Sequence, residues 1–273
     1  MAHDRWRPRL VALDIDGTLL EPGGVVEESV RHAVRRAAES GAHVVLATGR
    51  CNEEAARVLA QLELPNAHAI CSNGALTMRY PDRATICAIT FDPDEVLRLL
   101  IARLPKARFA VDDPGFGYVV TGLFPDGELI GLQRVRPLRS LYGRRVTRVV
   151  VRDPERSLAE FMELIATLDI QGVSYCVGFN SWLDLMAKGV SKAVALASLA
   201  TDLDVDPVDC LAIGDGRNDI EMLRWAGRGV AMAQAPAEVR ASADHVTGSV
   251  AECGAATELD FWFASHSDAT AYN

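Results

Sequence analysis

Apolar residues along this chain follow two rhythms, and their alternation predicts the fold. Leu10-Val11-Ala12-Leu13 is a continuous apolar run cut off by Asp14, the pattern of a strand buried on both faces. Val30, Ala33, Val34 and Ala37 then recur at i, i+3, i+4 and i+7, the stripe of an amphipathic helix that Gly41 ends. His43-Val44-Val45-Leu46-Ala47 reads as a second strand delivering Thr48, and Asn52 is placed to cap a helix carrying Val58, Leu59 and Leu62. His68-Ala69-Ile70-Cys71 is a third strand, ending in Ser72-Asn73-Gly74. A βαβαβ run of this kind predicts a parallel sheet with right-handed crossovers.

The same grammar resumes over 188–250. Ser191 is placed to cap a helix through Leu203, a strand follows at 210–213, and a helix over 219–226 stops at Gly227. A strand at 229–232, a helix around 236–242 and a short strand near His245-Val246 complete it. Between the two halves the pattern changes. Strands are expected at Thr85–Phe91, 107–112 and 117–121 around a helix at Asp94–Leu104. Strands at Val146–Val151, Val173–Val177 and Trp182–Met186 surround a second helix at Ser157–Leu168. That is β-α-β-β twice, suited to a helix-backed, largely antiparallel sheet. The segment 122–145, rich in Gly, Pro and Arg, reads as loop. The expected organisation is a parallel-sheet α/β core made of 1–82 and 187–273, interrupted by an α+β cap at 83–186.

Composition narrows the functional classes. The 273 residues are 49% hydrophobic and 24% charged, with a net charge of −9. That balance argues against a nucleic-acid or anionic-membrane surface, and no apolar stretch approaches the ~20 residues of a membrane helix. The first residues lack the apolar core of a secretory signal. The six cysteines (Cys51, Cys71, Cys87, Cys176, Cys210, Cys253) show neither CxxC spacing nor a compact framework. They read as buried free thiols in a reducing cytoplasm. Six arginines between Arg134 and Arg148, without aromatic partners beyond Tyr142, read as a solvated loop. The histidines are scattered and suggest neither a zinc site nor a triad. Oligomeric state is not encoded legibly.

The chemistry sits where the strands end. Asp14 and Asp16 follow the first strand, and Asp215 and Asp219 follow the strand at 210–213. In open α/β sheets that edge is where ligands bind. Carboxylates gathered there with a phosphate would repel strongly without a cation, and hard oxygen donors suit Mg²⁺ better than zinc. Paired acids divide naturally into a nucleophile and a proton donor. Lys192 lies in the first turn of its helix, where the dipole disfavours a cation unless an anion is held there; Lys188 is its weaker competitor. Thr48 and the amides beside it can donate to phosphate oxygens. Arg50 can bind substrate or pair with an acid. Asn73 and Gly74 occupy the same edge as supporting contacts.

Taken together, Asp14-x-Asp16-Gly17-Thr18, Thr48-Gly49-Arg50, Gly189-Val190-Ser191-Lys192 and Gly214-Asp215-Gly216-x-Asn218-Asp219 resemble the four motifs of the haloacid dehalogenase (HAD) superfamily. Their order and spacing are similar to its Cof-type phosphatases, whose large cap lies between the second and third motifs. The resemblance spans roughly residues 9–250. It implies a Rossmann-like core and an inserted cap. It also implies a Mg²⁺-dependent phosphomonoesterase acting on small phosphorylated metabolites, sugar phosphates above all, through an aspartyl-phosphate. By the same resemblance Asp14 is nucleophile and metal ligand, and Asp16 is acid/base and lends its backbone carbonyl to the metal. Asp215 completes the metal shell. Thr48, Gly49, Arg50, Lys192 and Asn218 contact phosphate or substrate, while Asn73 and Asp219 support the site. A phosphomutase or phosphotransferase on the same fold, and a catalytically silent ligand-binding regulator, are the alternatives. Ala193 stands where the family usually has Gly, and the chain after Glu252 aligns with nothing recognisable. Substrate choice would fall to cap turns near Asp112–Gly117 and Gly178–Ser181.

Overall fold

A computed structural model describes residues 6–21, 24–113, 116–178 and 180–264. Pro114, Gly115 and Phe179, inside the two cap turns singled out above, lie outside the described residues. The chain runs β1 (Leu10–Leu13), α1 (Glu28–Glu39), β2 (His43–Ala47), α2 (Asn52–Leu62), β3 (Ala67–Cys71), β4 (Leu76–Tyr80) and β5 (Thr85–Ala88). Then come α3 (Asp94–Arg103), β6 (Arg108–Asp113), β7 (Gly117–Val120), β8 (Gln133–Val135), β9 (Val149–Arg152), α4 (Leu158–Ala166), β10 (Val173–Val177) and β11 (Trp182–Ala187). The last stretch is α5 (Lys192–Asp202), β12 (Cys210–Gly214), α6 (Ile220–Trp225), β13 (Arg228–Ala231), α7 (Ala237–Arg240), β14 (His245–Val246) and α8 (Gly254–Phe263).

The core is an eight-stranded sheet in the order β14-β13-β12-β1-β2-β3-β4-β5. From β14 to β3 neighbouring strands are parallel, and β4 and β5 join antiparallel. Alternation along each strand feeds both faces. Val11 and Leu13 of β1, with Leu211 and Ile213 of β12, pack under α1, α2 and α8. Leu10, Ala12, Cys210 and Ala212 pack under α5, α6 and α7. Each Val, Leu or Ile among them taken fully out of water contributes about 1.5–3 kcal/mol, so a sheet covered on both faces holds β1 and β12 rigidly side by side. The motifs at their ends inherit that rigidity.

The inserted unit is a six-stranded sheet in the order β10-β11-β9-β6-β7-β8. One face packs Phe109, Val149, Val151 and Leu183 against α3 and α4. The other carries Tyr118, Val120, Phe124, Leu129 and Val150 and meets Cys51 of the core. The α/β core and the helix-backed insertion therefore match the expected fold class.

Several expectations at finer grain are corrected. The strand expected over Thr85–Phe91 splits: β5 pairs with β4 in the core sheet, and Phe91 makes a single bridge to Val146 in the insertion. The cause is β4, whose hairpin with β3 extends the core sheet and captures the next segment. The first expected β-α-β-β unit thus lends its opening strand to the core. The segment 122–145 is not all loop, since β8 lies parallel to β7 and a 3₁₀ turn covers Leu138–Leu141. Cys51, not Asn52, is the N-cap of α2, and its amide is met by the Tyr118 hydroxyl at 3.2 Å. All six cysteines are free, but Cys87 is exposed on edge strand β5 rather than buried. Phe263 packs into the core while Phe261 is exposed. Among the described residues no helix is long and apolar enough to cross a membrane.

Candidate active site

Neighbouring parallel strands deliver Asp14 from β1, Thr48 from β2 and Asp215 from β12 to one edge of the sheet. Asp14, Asp16, Thr48, Gly49, Arg50, Asp215 and Asn218 line a single cavity of about 310 Å³. Lys192, Asn73 and Asp219 are buried directly behind it. These side chains, singled out in the sequence, are thus gathered at one place, while Lys188, the competitor of Lys192, is exposed and outside the cavity lining. Gly17, at φ +79°, lies against the Asp215 carboxylate, and a Cβ there would collide with it. Gly74, at φ +106°, likewise packs onto the Ser191 carbonyl at the start of α5.

Lys192 is the electrostatic centre. Ser191 caps α5 by accepting from the Val194 amide at 3.3 Å, which fixes the first turn. The Lys192 ammonium, buried at 1% exposure, donates to Asp14 Oδ1 at 2.7 Å and to Asp219 Oδ1 at 2.6 Å. Burial alone would lower its pKa, but the two carboxylates outweigh burial and raise it, so it stays charged. Asp219 spends its other oxygen on the backbone amides of Asp215 at 3.0 Å and Gly216 at 2.8 Å. It therefore shapes the loop after β12 instead of capping α6, for which its side chain makes no bond.

Carboxyl oxygens of Asp14, Asp215 and Asp219 lie within 4.8 Å of one another. Burial pushes the Asp14 pKa well up; Asp219 and Asp215 add to that shift and Lys192 opposes it. Burial, with the charge of Asp219, raises Asp215 to about 7, again against Lys192. Three acids share one ammonium, so the cluster lacks positive charge, and its hard oxygen donors fit a divalent cation. The carboxylate cluster contains Asp219, which the sequence reading placed as a supporting residue; Asp16 was expected to serve the metal through its backbone carbonyl, not its carboxylate. The Asp16 carboxylate instead faces Arg50, accepting from Nε at 2.8 Å and from Nη2 at 2.6 Å. Arg50 thus pairs with an acid while also lining the cavity. Asn218 Nδ2 donates to Asn73 Oδ1 at 2.9 Å, and the Arg50 amide to Thr48 Oγ1 at 3.1 Å.

The insertion closes the cavity from above with residues that carry no motif: Tyr118, Leu129, Arg148, Trp182 and Asp184. Arg148 is the largest correction. The sequence counted it in a solvated arginine loop, yet it is 2% exposed beside β9. It donates to the Tyr118 hydroxyl at 2.9 Å, to Asp184 at 3.3 Å, to Asp112 at 3.4 Å and across to the Gly49 carbonyl of the core. Its burial opposes its charge, but Asp112, Tyr118 and Asp184 keep its pKa raised. Gln234, also unflagged, bridges the Gly17 carbonyl at 2.6 Å and Asp215 at 3.4 Å. The strand expected over Val146–Val151 was the available signal that Arg148 adjoins a buried strand, β9.

Fold and site together define a hydrolase class, and comparison with known proteins makes it specific. The profile of the haloacid dehalogenase-like hydrolase family matches residues 11–108 and 130–259. The chain belongs to that family, and the match reaches past Glu252, beyond the limit of the motif resemblance. The 5-amino-6-(5-phospho-D-ribitylamino)uracil phosphatase YitU of Bacillus subtilis is 27% identical over 267 residues, covering 94% of this chain and 98% of that one. The HMP-PP phosphatase of Cronobacter sakazakii is 28% identical over 277 residues, covering 93% and 95%. A solved HAD phosphatase of Bacteroides thetaiotaomicron, BT1666, superposes with a TM-score of 0.78 at 25% identity, covering 96% and 97%. The chain is a phosphoric monoester hydrolase of the Cof type.

Proposed function

We propose that the enzyme hydrolyses small phosphorylated metabolites with Mg²⁺ through a phosphorylated Asp14. The observation that carries this reading is the buried cluster in which Asp14 faces both Lys192 and the Asp215 carboxylate. Asp14 and Asp215, with the Asp16 carbonyl that the family resemblance implies, would hold the metal. When bound, that cation neutralises charge between the nucleophile and the phosphoryl oxygens.

The residues then divide the work. Asp14 attacks phosphorus as the ester P–O bond breaks, and Asp16 gives a proton to the leaving oxygen. Asp16 next takes a proton from water, which attacks the aspartyl-phosphate and releases phosphate. Thr48, the Gly49 amide, Lys192 and Asn218 hold the phosphoryl oxygens. Arg50 passes from Asp16 to the substrate, freeing that carboxyl for proton transfer. The cap excludes water from the site during attack. This floor reads only the phosphoryl group, so it accepts sugar phosphates, the class suggested by sequence, and other monoesters alike. The proposal puts the enzyme in the cytoplasm, with which its free cysteines agree. Asp14→Asn is expected to abolish turnover of 4-nitrophenyl phosphate while circular dichroism and melting stay close to wild type. Full activity in that variant would rule out the nucleophile.

A further inference from the structure

The roof of the cavity differs in chemistry from its floor. Its charged groups are already committed to partners within the protein. Glu128 turns both carboxylate oxygens to Arg152, one of them at 3.0 Å from Nη2. Arg148 is shared among Tyr118, Asp184, Asp112 and the Gly49 carbonyl. Asp184 accepts from Arg148 and from Trp182 Nε1, the latter at 3.0 Å. Asn180, exposed at the mouth, makes no such bond among the described residues. Apart from Asn180, the side chains of the roof left facing the space are apolar among the described residues: Trp182, Leu129, Ile130 and Val177.

Trp182 is also fixed in place. Asp184 holds its ring nitrogen, and Phe124 packs edge-on with centroids 5.6 Å apart at 68°. A rigid aromatic wall loses little entropy when a ligand lies on it. A polyhydroxylated leaving group meets the opposite situation, because hydroxyls laid against Trp182, Leu129, Ile130 and Val177 surrender water at side chains that offer no hydrogen-bond partner. At about 310 Å³ the cavity is at the small end for a ligand site, with room for a phosphoryl group and one modest ring.

We propose that the leaving group carries a flat, unsaturated ring, joined to the phosphate through a short alcohol linker, and that this ring lies on Trp182. The proposal rests on the phosphatase reading and deepens it. Three esters with alcohol leaving groups separate the possibilities: benzyl phosphate, cyclohexylmethyl phosphate and glucose 6-phosphate, assayed with the full chain and Mg²⁺. The expected kcat/KM for the benzyl ester exceeds each of the others about tenfold. Trp182→Ala should lower the benzyl value about tenfold more than the glucose value. Trp182→Phe, which keeps an aromatic face, retains the benzyl preference and covers the case in which the alanine variant melts early. Equal or faster turnover of glucose 6-phosphate overturns the proposal. So does a cyclohexylmethyl ester that matches the benzyl one, or a folded Phe variant that loses the preference. Calorimetric binding of the same three esters to Asp14→Asn protein reads ring preference without chemistry. If no ester is hydrolysed, the phosphatase reading fails, while the binding order still decides the ring.

Discussion

Replacing Lys192 with Met tests the electrostatics of the site at their centre. Methionine keeps length and apolar bulk, so packing changes little, but Asp14 and Asp219 lose the ammonium at 2.7 and 2.6 Å. Breaking a buried ion pair by removing one partner costs about 3–5 kcal/mol. For a chain of this size, at about 2–4 °C per kcal/mol, that is a fall in Tm of about 6–20 °C. The loss should depend on pH in a fixed direction. Lys192 is the charge that holds the Asp14 pKa down against burial and its acidic neighbours. Without it the carboxyl protonates more readily, so the variant recovers stability as pH falls from 8 to 5. Mg²⁺ should raise the variant's Tm more than the wild type's, because a cation re-pairs the orphaned acids. The assay is calorimetric melting across that pH range with and without metal. A variant that melts within about 2 °C of wild type at pH 8 would refute the argument, as would a deficit independent of pH.

The pKa of Asp215, raised to about 7, sets a pH dependence for the metal. Only the ionised carboxylate ligates, so Mg²⁺ affinity should rise as pH climbs from 5 to 7 and level off above, by about tenfold per unit for each proton displaced. In metal-free protein the sign reverses: folded Asp215 binds its proton more tightly than the unfolded chain, so this group's contribution to stability is lost as pH rises from about 4 to about 7. Calorimetry at several pH values checks the first statement and thermal melts the second. Gly74→Ala places a methyl against the Ser191 carbonyl at a positive φ, so α5 must shift and carry Lys192 with it. A displacement near 1 Å is expected to reduce kcat about 100-fold, measurable with 4-nitrophenyl phosphate, while Gly41→Ala, open to solvent at φ +91°, affects stability alone.

Where a side chain's role followed from its position at a strand end, the sequence made it legible. Asp14 and Thr48 sit one step, and Asp215 two steps, past a buried apolar run, and that local signal survives folding because parallel strands end together. The roof was opaque for the opposite reason. Tyr118, Arg148, Trp182 and Asp184 come from two strands and the approach to a third, at no readable spacing, and meet only through tertiary packing. Arg148 misled because composition assigns arginine to the surface, whereas Asp112 and Asp184 make its burial tolerable. The misassigned strand at Thr85–Ala88 has a similar cause: its side chains are exposed on a sheet edge, so periodicity could not say which sheet would adopt it.

β1 lies between β2 and β12, strands whose residues are separated by more than half the chain. During synthesis, then, the strand bearing Asp14 emerges with one edge unpaired and waits for the cap and α5 to be made before β12 arrives. An exposed apolar edge of that kind invites wrong partners, and pairing across so long a separation is slow. The order of translation therefore delays assembly of the chemistry until nearly the whole polypeptide exists, and exposes the nascent protein to aggregation in the interval.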